Sequence, residues 1–139
     1  MRISVLGALA ISAAAGVATA QPIVLEDFNS QTVFDLTGGN QIRWTMDGQD
    51  QLFNQRFFFR TAAMQDEAAV DSLPLTGVQV SDTNFFDDAR NDTISARYNA
   101  GGGLEFRTTY TVRGGLPGSG TSDLAETIRI TNSGAPIAL

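Results

Sequence analysis

The chain contains no cysteine, no histidine and no lysine. The first absence excludes a disulfide framework and any thiolate nucleophile or metal site. The second removes the Ser-His-Asp and Cys-His nucleophile pairs and imidazole zinc sites, and the third removes Schiff-base and phosphate-loop lysine chemistry. What remains is carboxylate, hydroxyl, amide and guanidinium chemistry. Every cationic side chain is an arginine, nine in all against fifteen acidic residues.

Long hydrophobic runs are also missing after the first twenty residues. Those twenty carry Arg2, an apolar run from Ile3 to Val17, and Ala18-Thr19-Ala20 before Gln21. This is the pattern of a secretory signal peptide with an Ala-x-Ala cleavage site, and it is shorter than the roughly 20 apolar residues of a membrane-spanning helix. The reading is therefore a signal peptide over 1–20 and one domain over 21–139, secreted or otherwise extracytoplasmic, with no membrane span in the mature chain. In that mature part eight arginines face all fifteen acidic residues, leaving a net charge of −7. Such a balance argues against a nucleic-acid partner, because phosphate binding relies on clustered cations.

The periodicity is that of short strands. Residues 23–28 follow Pro22 as an edge strand and 33–36 form a second, closed by Gly38-Gly39-Asn40. In 42–46, Ile42, Trp44 and Met46 share a face. Asp47-Gly48 is a tight hairpin turn. The second arm is predicted to be the phenylalanine-rich stretch 51–60, with Phe53, Phe57 and Phe59 forming the inter-sheet core and Leu52 and Phe58 on the opposite, mixed face. Residues 61–70 are alanine-rich and predict one or two helical turns. Strands follow at 77–81 and at 93–98, where Ile94, Ala96 and Tyr98 face inward. The Gly101-Gly102-Gly103 turn leads to 104–112, with Leu104, Phe106, Tyr110 and Val112 inward, and 124–131 returns with Ile128 and Ile130 inward. An apolar strand is expected to begin at 135–139 and to be cut short there. The predicted fold class is thus all-β, an antiparallel β-sandwich of jelly-roll or immunoglobulin-like type, truncated at its C-terminus.

The acidic stretch 82–92 offers Asp82, Asp87, Asp88 and Asp92 as oxygen donors for calcium, but without the glycine and terminal glutamate of an EF-hand loop. A solvated turn in which Asp and Asn bond their own backbone is favoured over a metal site. Glu26, Glu67, Glu105 and Glu126 could supply a glycosidase pair, yet nothing in their spacing pairs them. Among aromatic residues that could stack on sugar, Trp44 and Tyr110 are in phase with the core. Tyr98 is also a candidate, while Phe85 and Phe86 are the better ones because adjacent residues of an extended segment point to opposite sides. Residues 114–120 lack the ending of a phosphate loop and read as a long, flexible connection. No catalytic, cofactor-binding or metal-binding residue is assigned on this basis, and no cofactor is expected.

Trp44-x-x-Asp47-Gly48, then Gln51-Leu52-Phe53-x-Gln55-x-Phe57-x-Phe59-Arg60, then Gly114-Gly115-x-x-Gly118-Ser119-Gly120-x-Ser122-Asp123-Leu124-Ala125-Glu126 leading to Ile128-x-Ile130-x-Asn132, resembles a group of uncharacterised secreted bacterial β-rich proteins. Many of these carry a PEP-CTERM sorting tail recognised by an exosortase. The resemblance implies an extracytoplasmic β-rich domain at the cell surface or in extracellular matrix. This sequence has no Pro-Glu-Pro motif, C-terminal membrane helix or basic tail. The resulting expectation is an exported, non-enzymatic β-sandwich. The alternative is a carbohydrate-binding module, calcium-stabilised, that takes extracellular polysaccharide on the Phe85/Phe86 loop.

Overall fold

A computed structural model of the chain describes residues 21–38, 40–84 and 86–138. Residues 1–20, expected to be a signal peptide, lie outside the described residues together with Gly39, Phe85 and Leu139.

The described chain is an antiparallel β-sandwich. Its first sheet is built from β1 (Ile23–Asp27), β2 (Ser30–Asp35), β3 (Asn40–Met46) and β4 (Gln49–Leu52), in that order. A two-stranded ribbon follows, β5 (Phe58–Phe59) with β6 (Ala68–Ala69). The second sheet runs β7 (Leu75–Ser81), β8 (Thr93–Gly101), β9 (Leu104–Gly114) and β10 (Ser122–Asn132), again in sequence order. Tight turns make this local connectivity possible. Asp47 and Gly48 have φ of 49° and 76°, the paired positive values that match a two-residue hairpin loop to strand twist.

Alternation decides which side chains are buried. In β8 and β9, Ile94, Ala96, Tyr98, Leu104, Phe106, Tyr110 and Val112 all face the first sheet and join Leu25 and Phe34 in one core. Phe34 and Tyr110 meet across it with ring centroids 4.6 Å apart. The first sheet lies over β9 through β1 and β2. In register, Ile128 and Ile130 of β10 share the core face with Thr108 and Phe106. They lie beyond the cover of the first sheet, however, and remain 39% and 45% exposed. Their expected burial is therefore not realised.

The phenylalanine stretch is not one strand. Pairing with β3 stops at Leu52, and residue 55 touches the first sheet only through the Gln41–Gln55 bridge. A strand apolar on both faces needs cover on both, and at the margin of a four-stranded sheet the chain instead breaks away. Phe57 and Phe59 then reach the core separately, 6.4 Å from the Tyr110 ring and 4.6 Å from the Phe106 ring. Phe53 is 89% exposed, which corrects its expected place in the core.

Two further expectations fail for local reasons. Residues 61–70 form turns and β6, followed by a single 3-10 turn at Val70–Ser72, with no α-helix among the described residues. A one-turn helix is marginal alone, and Ala68 and Ala69 gain more by pairing with Phe59 and Phe58. Residues 135–138 are not a strand; Ala138 instead accepts a backbone hydrogen bond from Ala62 at 3.0 Å.

Candidate functional site

Chemistry gathers at the end of the sandwich where β1 turns into β2. Asp27 follows Leu25 on the inward face of β1 and is 2% exposed. Its Oδ2 accepts a hydrogen bond from the Gly114 amide at 2.7 Å, while the buried Oδ1 has no hydrogen-bond partner among the described residues. The loop between β7 and β8 brings two more carboxylates to it. One oxygen from each of Asp27, Asp87 and Asp88 lies within 4.8 Å of the others. Burial raises the Asp27 pKa, the Gly114 hydrogen bond opposes this, and the neighbouring Asp87 and Asp88 charges raise it further. Asp88 is shifted the other way, chiefly by its hydrogen bond from the Arg90 guanidinium. Arg90 donates to it at 2.6 Å and lies 3.9 Å from Glu26.

Of the four aspartates singled out in the sequence, only Asp87 and Asp88 come together here. Asp92 is buried and accepts from the Thr83 amide and hydroxyl at 3.0 and 2.7 Å. Asp82 accepts from the Asn84 amide at 3.1 Å. Asp82 makes the local turn that the sequence reading favours, whereas Asp92 departs from a solvated turn: it is buried and ties the two ends of the loop together. The residue missed was Asp27. Its signal was a carboxylate in phase with Leu25, on the face of a strand that should be apolar.

Beside this cluster the outer face of the first sheet holds a polar trough of about 490 Å³, lined by Glu26, Gln31, Arg43, Thr45 and Arg90 and flanked by Phe28. The glycine loop after β9 closes one side and is tied down. Asp47 accepts from the Gly118 amide at 2.6 Å on Oδ1 and from the Gly120 amide at 2.9 Å on Oδ2, and Asn29 Oδ1 accepts from Gly115 at 2.9 Å. The two glycine amides hold the Asp47 pKa below its ordinary value. The loop expected to be a free connection is thus a nest for an anion that the chain itself supplies.

The outer face of the second sheet carries a second arrangement. Arg97 of β8, Arg107 of β9 and Arg129 of β10 are direct cross-strand partners, a row of three cations continued on β7 by Gly77. The adjacent row in the same register is Gln79, Ser95, Thr109 and Thr127. Like charges placed directly opposite each other repel. Within the row the buried Arg107 Nε has no hydrogen-bond partner among the described residues.

The remaining candidates separate. Glu26 is bonded by Gln31 and Glu126 by Gln55, and Glu105 and Glu126 stand on opposite faces of the second sheet. Tyr98 and Tyr110 are core residues, and half-buried Trp44 donates from its indole nitrogen to Ser30 at 2.9 Å. Phe86 is 90% exposed, and Phe85 lies outside the described residues. No helix among the described residues is long and apolar enough to cross a membrane. In comparisons with known proteins, no family model, no curated protein and no solved structure matches the chain.

Proposed function

We propose that this chain is an exported, non-enzymatic β-sandwich that works at the cell surface or in extracellular matrix by holding an acidic extracellular polysaccharide. The observation that carries the reading is the Arg97–Arg107–Arg129 row. Three arginines placed directly opposite one another across strands repel, even with Glu105 in the neighbouring row of the same face. A carboxylated or sulfated ligand crossing the strands would relieve that repulsion, with a guanidinium available at each ~4.8 Å strand spacing. The parallel row of Gln79, Ser95, Thr109 and Thr127 supplies amide and hydroxyl groups for sugar hydroxyls. Export is supported by the leader pattern of residues 1–20, and the surface role by the resemblance to secreted bacterial proteins.

Affinity electrophoresis through gels containing alginate or a neutral glucan tests the proposal. Alginate should retard the full chain and the neutral glucan should not. Replacing Arg97 and Arg129 with glutamine should abolish the retardation while leaving the melting temperature unchanged or higher. Equal mobility in both gels, or undiminished retardation of the double variant, would refute it.

A further inference from the structure

We propose that Asp27, Asp87 and Asp88 form a calcium site that clamps the β1–β2 turn to the loop between β7 and β8. This site does not depend on the polysaccharide reading, since it uses none of the residues of the arginine row. Three observations converge on it.

The first is the unpartnered oxygen. Asp27 is 2% exposed, and its Oδ1 is sealed from solvent with no hydrogen-bond donor among the described residues. A buried carboxylate oxygen without a partner carries a desolvation cost that neutral surroundings do not repay. Asn84 is the one side chain whose hydrogen bonding lowers the Asp27 pKa, but its Nδ2 is directed to Asp87 and makes no well-formed bond to Oδ1.

The second is charge. Three carboxylates converge and one guanidinium, Arg90, answers them through Asp88. With Glu26 3.9 Å from the same guanidinium, four carboxylates face one cation, and a divalent ion would offset most of that excess.

The third is ligand type and spacing. All the donors are carboxylate oxygens, and the chain has no imidazole or thiolate to draw zinc or copper. One oxygen from each carboxylate lies within 4.8 Å of the others. Oxygens this close can share one ion, and calcium accepts the irregular geometry of such a set where magnesium demands a near-ideal octahedron. Asp87 is exposed, so the outward side of the ion is open to water ligands. Bound there, the ion would fix the segment that carries Arg90 and hence one wall of the trough on the first sheet.

Thermal melts and isothermal titration of the full chain, each with calcium chloride, magnesium chloride or EDTA, test the assignment. Calcium at about 5 mM should raise the melting temperature by at least ~5 °C over EDTA and give a saturating one-site heat, with magnesium much less effective. Asp87→Ala should lose both responses, yet melt no lower than the unaltered chain does in EDTA, because Asp87 is exposed and adds repulsion there. Asp27→Asn should also lose the heat. The proposal is overturned if calcium and EDTA give the same melt for the unaltered chain, or if Asp87→Ala keeps the full calcium response. It is also overturned if acidification alone stabilises the chain and calcium adds nothing, since the cluster would then be held by a shared proton.

Discussion

Gly114 and Asp27 join the two sheets where they share an end. The Gly114 amide donates to Asp27 Oδ2 at 2.7 Å, and the Asp27 backbone carbonyl occupies the space that a β-carbon on Gly114 would need. Gly114 is half-buried and its collision would be with main chain, which cannot swing aside as a side-chain tip can. Gly114→Ala should therefore cost at least ~2 kcal/mol through overpacking and loss of the hydrogen bond. Urea unfolding measures this directly, and a loss below about 0.5 kcal/mol would show that the contact is not tight.

Asp47 makes stability depend on acid. Its pKa is lowered by the Gly118 and Gly120 amides from an ordinary value of 3.8, so the folded state binds the proton less readily than the unfolded one. The stabilisation is complete above the unfolded value and is lost as pH falls through the lower, folded value. Asp47→Asn keeps a residue that tolerates the positive φ of the turn but removes the charge. The gap in melting temperature between this variant and the parent should be full near about pH 6 and should narrow toward about pH 3. A gap independent of pH would mean that the carboxylate charge is not what holds the loop.

The strands that sequence periodicity located well, β8 and β9, are those with one face buried and one solvated, because alternation then has one meaning. It failed at Phe53, where both faces are apolar and the pattern cannot say which is covered or whether the strand continues. Ile128 and Ile130 were assigned the correct face, but their exposure depends on how far the other sheet reaches, which no local pattern encodes. Asp87 and Asp88 were legible as acidic loop residues. Their partner Asp27, more than fifty positions earlier, was not, since the approach of the β1–β2 turn to that loop is set by sheet packing. The arginine row is illegible in the sequence for a similar reason: Arg97, Arg107 and Arg129 become neighbours only through strand register.

Arg56 holds the phenylalanine segment in place through a two-pronged pair with Asp71, at 3.1 and 2.9 Å. The Asp71 side chain is wholly buried, whereas that of Arg56 is 35% exposed. Removing the cation strands a buried carboxylate, so Arg56→Ala should lower the melting temperature by roughly 5 °C or more. Arg43→Ala provides the control. Its pair with Asp50 is exposed on both sides, and its loss should move the melt by about 1 °C or less. Equal effects of the two substitutions would contradict the assigned burial.

The two tyrosines give an alkaline signature. Burial pushes the Tyr98 hydroxyl up to about 12 and that of Tyr110 higher still. Each folded-state value lies above the unfolded one, so their contribution is intact below about pH 10 and is lost as pH rises through the folded values. Phenolate absorbance should stay flat in the native chain to about pH 11, while the urea-unfolded chain titrates near ~10. A native signal near pH 10 would place at least one ring at the surface.

Every strand is hydrogen-bonded to strands adjacent to it in sequence, and this ordering has a kinetic meaning. Each of the two four-stranded sheets can grow hairpin by hairpin, the longest connection within a sheet being the loop 82–92, so the chain entropy lost at each step is small beside that of a distant pairing. The long-range event is the docking of Leu25 and Phe34 onto β9. The first sheet is complete by Leu52, so a chain emerging from its N-terminus can assemble that layer while the residues that will cover it are still being made.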